Sequence, residues 1–183
     1  HGTLDLKSAM ARSCNCAFAQ IAQKIGSEKL ASYVERFGIT DSVSFDGITT
    51  AEGNFDLTGA DKVALAWSAI GQYTDMVNPC AFLQFMGAIG GGGEAAKPYI
   101  VEQVAAGETV TYQAKTDLSN RVMDKELAQT MQELMRNNVE NYYGGKSGIA
   151  ASIKQGESLF FNQSVDLSGL GKAQNILTFF HKP

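Results

Sequence analysis

Two short polar segments of the 183-residue chain contain side-chain types that acyl transfer from an amide requires. The first holds Ser13 and Asn15, a hydroxyl and a carboxamide separated by one residue. The second, far downstream, is the run Lys146-Ser147-Gly148. Acyl transfer needs a nucleophile, a neighbouring acid or base, and donors that hold the substrate and its oxyanion. Hydroxyl, carboxamide and ammonium groups can serve these purposes where the fold brings them together.

Each segment also has a simpler interpretation. Serine and asparagine favour helix N-caps, so Ser13 and Asn15 alone predict a helix-capping pair. The run Gly145-Lys146-Ser147 is similar to the end of a phosphate-binding loop, but that motif needs a glycine where Glu140 stands. A phosphate-binding loop is therefore excluded, and only the combination of the two segments favours acyl transfer.

Other common sites are not supported. The glycines at 90–93 follow a predicted helix and not a strand, which argues against a dinucleotide-binding turn. The two histidines, His1 and His181, stand at the chain ends, which argues against a Ser-His-Asp triad. The cysteines fit neither a disulfide framework nor zinc spacing, and we expect them to be small buried residues: Cys14, Cys16 and Cys80.

Composition predicts one ordinary globular domain. Hydrophobic residues make up 44% and charged residues 19% of the chain. The net charge of -4, without a basic stripe, predicts no nucleic-acid partner. No apolar run is long enough for a membrane span, and no signal peptide opens the chain. The absence of an initiator methionine leads us to expect a fragment or a processed product.

The residue pattern predicts helices first and strands later. Apolar residues recur at helical spacing on both sides of Ser13-Cys14-Asn15, which predicts a tight loop between two helices. A third helix is expected to end at Phe37. A capping box formed by Thr58 and Asp61 should open a helix around Trp67. Asn78-Pro79 should open another, through Met86.

The second half predicts a hairpin, a helix and a strand. The hairpin should turn at 106–108, and an amphipathic helix should span 124–137. We expect Trp67, Met131 and Met135 to be core residues. Asp124 and Glu126 are explained by the favourable start of that helix and not by catalysis. A strand is predicted over 145–152.

Four landmarks in this order resemble the transpeptidase domain of class B penicillin-binding proteins. The run at 1–18 resembles the segment that leads into their Ser-x-Asn motif. The other landmarks resemble, in turn, their SIGQG…Thr-Pro stretch, the strand entered after it, and their Lys-Thr/Ser-Gly strand. In this chain these are 68–72 followed by Asn78-Pro79 and a helix, 96–101, and 145–148. The resemblance covers roughly residues 1–150.

The resemblance implies an α+β fold of the serine β-lactamase type, with helices packed on an antiparallel sheet beside a helical lobe. The fold would be incomplete here. Residues 1–157 would form a partial transpeptidase domain, from the Ser-x-Asn motif to the Lys-Ser-Gly strand. Residues 158–183 lack the pattern with which the family continues, and we expect a divergent or non-native tail there.

The resemblance also implies site residues. Ser13 would relay protons, Asn15 would contact the substrate amide, and Lys146 would position the serine hydroxyl and the substrate carboxylate. Ile149 stands where the family usually has threonine, which removes one hydroxyl donor. The strand edge that holds the substrate would consist of Ser147, Gly148 and Ile149.

The implied reaction is D,D-transpeptidation, in which the penultimate D-alanine of a stem peptide is acylated onto a serine and then passed to a neighbouring stem's amine. The family's attacking serine lies in a Ser-x-x-Lys motif, and no serine of this chain has lysine three residues later. We expect that motif upstream of His1, and this chain alone to be inactive.

The implied partners are peptidoglycan stem peptides, β-lactams and cell-wall synthesis proteins, with no metal or organic cofactor. The parent protein would be anchored upstream and face outward from the bacterial cytoplasmic membrane. Two alternatives remain: a serine β-lactamase or β-lactam sensor domain, and a non-catalytic interaction module on the same scaffold. An upstream Ser-x-x-Lys would favour the enzyme over the module.

Overall fold

The structure is a computed structural model that describes residues 1–138. Within this range helices predominate, and the strands form two antiparallel hairpins, β1 with β2 and β3 with β4. The helices are α1 (Leu6–Ala11), α2 (Asn15–Ile25), α3 (Ser27–Phe37), α4 (Lys62–Ser68), α5 (Pro79–Gly90) and α6 (Lys125–Asn137). The strands are β1 (Ser44–Phe45), β2 (Ile48–Thr49), β3 (Gln103–Ala106) and β4 (Thr109–Gln113).

The larger buried cluster joins α5 and α6. Its most enclosed large side chain is Met123, only 1% exposed, just before α6. Burying a side chain of this size contributes roughly 1.5–3 kcal/mol. Met131 and Met135 pack against the cluster, as the amphipathic pattern predicts. The buried members are Ala88, Ile89, Ala95, Met123 and Ala128.

A second cluster fixes α2. Ala22 of α2, Leu57 and Leu65 of α4 are buried together, with Leu30 and Phe55 partly buried beside them. Helix α2 therefore packs against α4, and it also contacts α3. Helix α1 packs instead against α6. The short turn between α1 and α2 is thus held from two sides by different parts of the core.

Local capping signals explain where several helices begin. The Asn78 carboxamide accepts a hydrogen bond from the Cys80 backbone N–H at 3.0 Å, and Pro79 follows as the first helical residue. Helix α5 continues past Met86 to Gly90. Asp124 caps α6 by accepting from the Leu127 N–H at 2.7 Å. These starts agree with the sequence prediction.

The predicted capping box before α4 is wrong. Asp61 itself is the N-cap, and its carboxylate accepts from the backbone N–H groups of Val63 and Ala64 at 2.9 and 2.8 Å. The backbone N–H of Thr58 donates instead to Asp56 at 2.8 Å. A carboxylate at the N-cap satisfies two otherwise free donors, so it defines the helix start without Thr58.

Trp67 is 52% exposed, so its predicted core position is wrong. Helix α4 buries Leu65 and Ser68. Trp67 lies two residues after Leu65, roughly 200° around the helix axis, and therefore on a different face. Val63, one turn before Trp67, is 61% exposed.

The prediction that the three cysteines are buried is confirmed only for Cys14, because Cys16 is exposed and Cys80 is half-buried.

The predicted hairpin is confirmed as β3 and β4, which turn at Gly107. The segment at 96–101 is not a strand, and it forms only an isolated bridge between Ala96 and Leu118. The predicted strand at 145–152 and the tail at 158–183 lie outside the described residues. No helix within 1–138 is both long and apolar enough to cross a membrane.

Candidate functional site

The turn that carries Ser13 closes α1 with two backbone hydrogen bonds. The Ser13 N–H donates to the Met10 carbonyl at 3.1 Å, and the Cys14 N–H donates to the Ala9 carbonyl at 2.9 Å. This is the Schellman pattern, which satisfies carbonyls that the helix end leaves free. The turn is therefore a defined helix terminus, although it contains no glycine.

Ser13 occupies the left-handed position of this motif. Its φ is +48°, one of few positive values at non-glycine residues of 1–138. A residue with a Cβ pays roughly 1–2 kcal/mol for this conformation, and glycine is usual there. Strain of this kind tends to occur at functional sites, where the surrounding structure enforces it. The turn places the Ser13 side chain in solvent.

Neither Ser13 nor Asn15 is the N-cap of a helix. Cys14 is the N-cap of α2, it is 6% exposed, and it makes no side-chain capping bond. Asn15 is the first residue of α2. The side chains of Ser13 and Asn15 are exposed, and neither has a hydrogen-bond partner within residues 1–138. The helix-capping interpretation of this pair is therefore wrong.

The exposed pair can bind a substrate but cannot activate a nucleophile by itself. Asn15 offers an amide donor and a carbonyl acceptor, and Ser13 offers a hydroxyl. Both lie at the start of α2, where the helix dipole is positive and favours negative charge. Acyl transfer also requires a base, and neither side chain meets one within the described part of the chain. A further group must supply that function.

The second predicted segment lies outside the described residues. Lys146, Ser147, Gly148 and Ile149 all follow residue 138. Their approach to Ser13 and Asn15 remains a prediction. The structure thus describes one side of the candidate site.

Hydrogen bonds hold the segment at 68–78, which runs from the last residue of α4 to the N-cap of α5. The Ser68 hydroxyl, in a residue 5% exposed, donates to the Asp75 carboxylate at 2.6 Å. Burial raises the pKa of Asp75, and the bond from Ser68 partly opposes this. Asn54 pairs with Met76 through two backbone bonds of 2.6 and 2.8 Å. Ser68 therefore serves the fold and is not available to a substrate.

Sequence reasoning missed a contact between distant loops. The Asp46 carboxylate, in the β1–β2 turn, accepts backbone bonds from Ile100 at 2.5 Å and Val101 at 2.9 Å. These two bonds lower the pKa of Asp46. The Asp46-Gly47 dipeptide is a recognisable hairpin signal. Its partners lie more than fifty residues away, and no local signal identifies them.

The described residues contain no group of three or more His, Cys, Asp or Glu side chains that could hold a metal ion. An apolar pocket of about 40 Å³ borders α5, and neither Ser13 nor Asn15 lines it. Its lining consists of Phe45, Cys80, Leu83, Gln84, Gly87, Ala95, Ala96 and Pro98.

Residues 1–166 match the penicillin-binding protein transpeptidase domain family. One relative is the peptidoglycan D,D-transpeptidase PbpA of Mycolicibacterium smegmatis, 29% identical over 159 residues, which covers 84% of this chain and 32% of that protein. Another is stage V sporulation protein D of Bacillus subtilis, 27% identical over 191 residues, covering 96% of this chain and 29% of that protein.

Solved structures show the same fold. The crystal structure of PBPA from Mycobacterium tuberculosis has a TM-score of 0.70 at 25% identity, covering 76% of this chain and 33% of that one. A ceftriaxone acyl-enzyme complex of the same M. tuberculosis protein has a TM-score of 0.68 at 25% identity, covering 75% and 31%.

The chain belongs to the penicillin-binding protein transpeptidase domain family. The resemblance to class B members and the mixed α+β fold expected from the sequence are both confirmed. The chain spans about a third of the length of the relatives it matches. Family membership does not show which residues of this chain take part in a reaction. Two of the candidate residues lie at the turn of Ser13.

Proposed function

We propose that this chain is part of a peptidoglycan D,D-transpeptidase that acts through an acyl-serine intermediate. The attacking serine displaces the terminal D-alanine of one stem peptide and forms an ester with the penultimate residue. The amine of a neighbouring stem then attacks that ester, which forms the cross-link and frees the serine hydroxyl. β-Lactams would acylate the same serine.

One observation carries the assignment of the site. Ser13 and Asn15 are exposed on either side of the buried Cys14, and neither side chain serves a helix cap. Ser13 is held in the left-handed conformation that the Schellman motif requires, at a position where glycine would avoid the strain. A fold that maintains such strain at an exposed hydroxyl with no hydrogen-bond partner among residues 1–138 supports a role in chemistry.

The proposal gives each residue a role. Ser13 relays a proton to the leaving amine, and Asn15 binds the substrate amide. Lys146 positions the serine hydroxyl and the substrate carboxylate. The substrate lies along the strand edge that contains Ser147, Gly148 and Ile149. Glycine suits such an edge, because a side chain there would obstruct an extended peptide.

The relatives support this chemistry. Two that cover most of this chain are named for peptidoglycan D,D-transpeptidation and for sporulation. A solved structure of similar fold is the ceftriaxone acyl-enzyme complex of penicillin-binding protein A from M. tuberculosis. The proposal places the attacking serine in a segment outside this chain, since no Ser-x-x-Lys occurs here. It also places the parent protein at the outer face of the cytoplasmic membrane, among cell-wall synthesis proteins, and requires no metal or organic cofactor.

The test uses a fluorescent penicillin and a denaturing gel. Two chains are compared: residues 1–183 alone, and a version extended upstream to include a Ser-x-x-Lys segment. We expect label on the extended chain only. Within the extended chain, Ser13→Ala should slow labelling roughly 100-fold, within the range that proton-transfer groups contribute. The matched control is Ser42→Ala, an exposed loop serine.

The alternatives give different outcomes. Rapid loss of bound label would indicate a β-lactamase. A folded extended chain that takes no label would contradict the transpeptidase proposal and favour a non-catalytic module. Label on the 183-residue chain would contradict the external position of the nucleophile. An equal effect of the Ser13 and Ser42 substitutions would contradict the role of Ser13.

A further inference from the structure

We infer that Cys14 is a positioning residue, whose buried side chain holds Ser13 and Asn15 in the arrangement that the reaction uses. The inference rests on the proposed function for its catalytic consequence. Its structural part stands on the turn itself. Cys14 lies between two exposed residues with polar side chains, and it is the only buried one of the three.

The backbone of Cys14 joins two helices. Its N–H donates to the Ala9 carbonyl at 2.9 Å and thereby closes α1. Its carbonyl accepts from the N–H groups of Ala17 at 3.0 Å and Phe18 at 3.2 Å and thereby opens α2. Any displacement of Cys14 must therefore alter the end of one helix and the beginning of the next.

The side chain of Cys14 is used for burial, although its position favours a polar cap. N-caps are usually Ser, Thr, Asp or Asn, because an oxygen there accepts a free helix N–H. The Cys14 side chain makes no such bond and is 6% exposed. In a Schellman motif, an apolar contact commonly joins the residue at this position to the preceding helix. A small apolar anchor is thus what the position requires.

This anchor maintains the conformation of Ser13. A serine with φ of +48° relaxes toward a right-handed or extended conformation unless its neighbours prevent it. The neighbour on the C-terminal side is Cys14, fixed by burial and by its bond to Ala9. Loss of the anchor therefore releases Ser13, and with it the orientation of Asn15 at the start of α2.

Size decides which substitutions release the turn. Cys14 is only 6% exposed, and protein interiors are closely packed, so a much larger side chain at this position should overpack the turn. Cys14→Ala should preserve the anchor. Cys14→Leu should force the turn open, and Cys14→Val provides a milder version if the leucine variant does not fold. Cys80→Leu, beside the apolar pocket of α5, is the matched control.

The first measurement is amide hydrogen exchange in the 183-residue chain. The Ser13 and Cys14 amides are the ones whose bonds close α1. We expect Cys14→Leu or Cys14→Val to speed their exchange by roughly 10-fold or more, as expected when a local opening becomes easier. Cys14→Ala and Cys80→Leu should leave both amides unchanged. Unchanged exchange in Cys14→Leu and Cys14→Val would overturn the inference.

The second measurement is a double-mutant cycle on acylation of the extended chain by fluorescent penicillin. Cys14→Leu should lower the acylation rate constant roughly 100-fold, as a misplaced catalytic group does. In the Ser13→Ala background, the same change should have a clearly smaller effect, because only Asn15 is then left to be misplaced. Cys14→Ala should stay within about 3-fold of the wild type.

The outcomes separate the two proposals. An equal loss from Cys14→Leu in both backgrounds would indicate general destabilisation and would overturn the positioning role. A folded wild type that takes no label would overturn the proposed function and the catalytic role of Cys14 together. Faster exchange in the leucine variant would in that case still establish Cys14 as the anchor of the turn.

Discussion

The conformation of Ser13 opposes the preference of its residue type. The Schellman motif at the end of α1 requires a left-handed residue, and glycine would meet that requirement without strain. Serine at this position contributes a hydroxyl but lowers the free energy of unfolding. Stability therefore favours glycine at position 13, whereas the proposed proton relay requires serine.

This conflict gives a prediction for two variants that both lack the hydroxyl. Ser13→Gly should be more stable than Ser13→Ala by about 1 kcal/mol, because only alanine retains the left-handed penalty. At Ser42, whose φ is not positive, glycine should instead be less stable than alanine. Thermal unfolding of the four variants measures both differences. Equal stability of the two Ser13 variants would contradict the strain assigned here.

Asp46 gives a second residue-scale prediction, from the two backbone donors that lower its pKa. A lowered pKa in the folded state means that the stabilisation is complete above the ordinary value of 3.8 and is lost as pH falls through the folded pKa. Asp46→Asn should therefore lower the melting temperature at neutral pH.

The melting temperatures of the wild type and of Asp46→Asn should converge below about pH 3.8. Asp41→Asn, another exposed loop aspartate, serves as the comparison. A difference between wild type and Asp46→Asn that persists unchanged down to pH 2 would show that the carboxylate charge is not what binds Ile100 and Val101.

At the scale of elements, the helix starts could be predicted where one residue carries the signal. Asn78-Pro79 and Asp124 act within one turn of the chain, so their sequence context suffices. The predicted start of α4 differs from the observed one. Thr58 and Asp61 have the spacing of a capping box, but in the structure Asp61 alone is the N-cap. Spacing alone does not show which of these two residues is the N-cap.

Substitutions before α4 distinguish a capping box of Thr58 and Asp61 from an N-cap formed by Asp61 alone. Asp61→Ala should destabilise the protein by about 1 kcal/mol, since two N–H groups lose their acceptor. Asp61→Ser should retain most of that stability. Thr58→Ala should change the free energy of unfolding by less than about 0.5 kcal/mol. Chemical denaturation gives the free energies of unfolding of the three variants. A larger effect of Thr58→Ala would support the capping box.

At the scale of the whole molecule, the contacts that could not be predicted join segments far apart in sequence. Asp46 binds Ile100 and Val101, and α1 packs on α6. The sequence shows that such residues are polar or amphipathic but not which partners they meet. For the site, the sequence predicted Ser13 and Asn15 as candidate residues and Cys14 as buried, whereas the left-handed conformation of Ser13 was found only in the structure.

Gly93, just after α5, lies close to the backbone of Met123, just before α6. Substitution of Gly93 tests this close approach. Its φ is +109°, and a Cβ there would collide with the backbone carbonyl of Met123. Gly93→Ala should therefore cost about 3 kcal/mol, combining backbone strain with overpacking. At Gly92, where the nearest atom is the Lys125 Cγ at 3.8 Å, alanine should cost about 1 kcal/mol. Denaturation midpoints compare the two variants, and equal costs would contradict the close approach.

The β3–β4 hairpin has a practical consequence for following this protein in cells. Every residue of both strands is exposed, and a Cβ added at Gly107 would meet no atom of residues 1–138 within 4 Å. A short epitope or fluorogenic peptide inserted after Gly107 extends into solvent and leaves the buried clusters intact. The hairpin is therefore a natural attachment point for a genetically encoded reporter of where this protein lies in the cell.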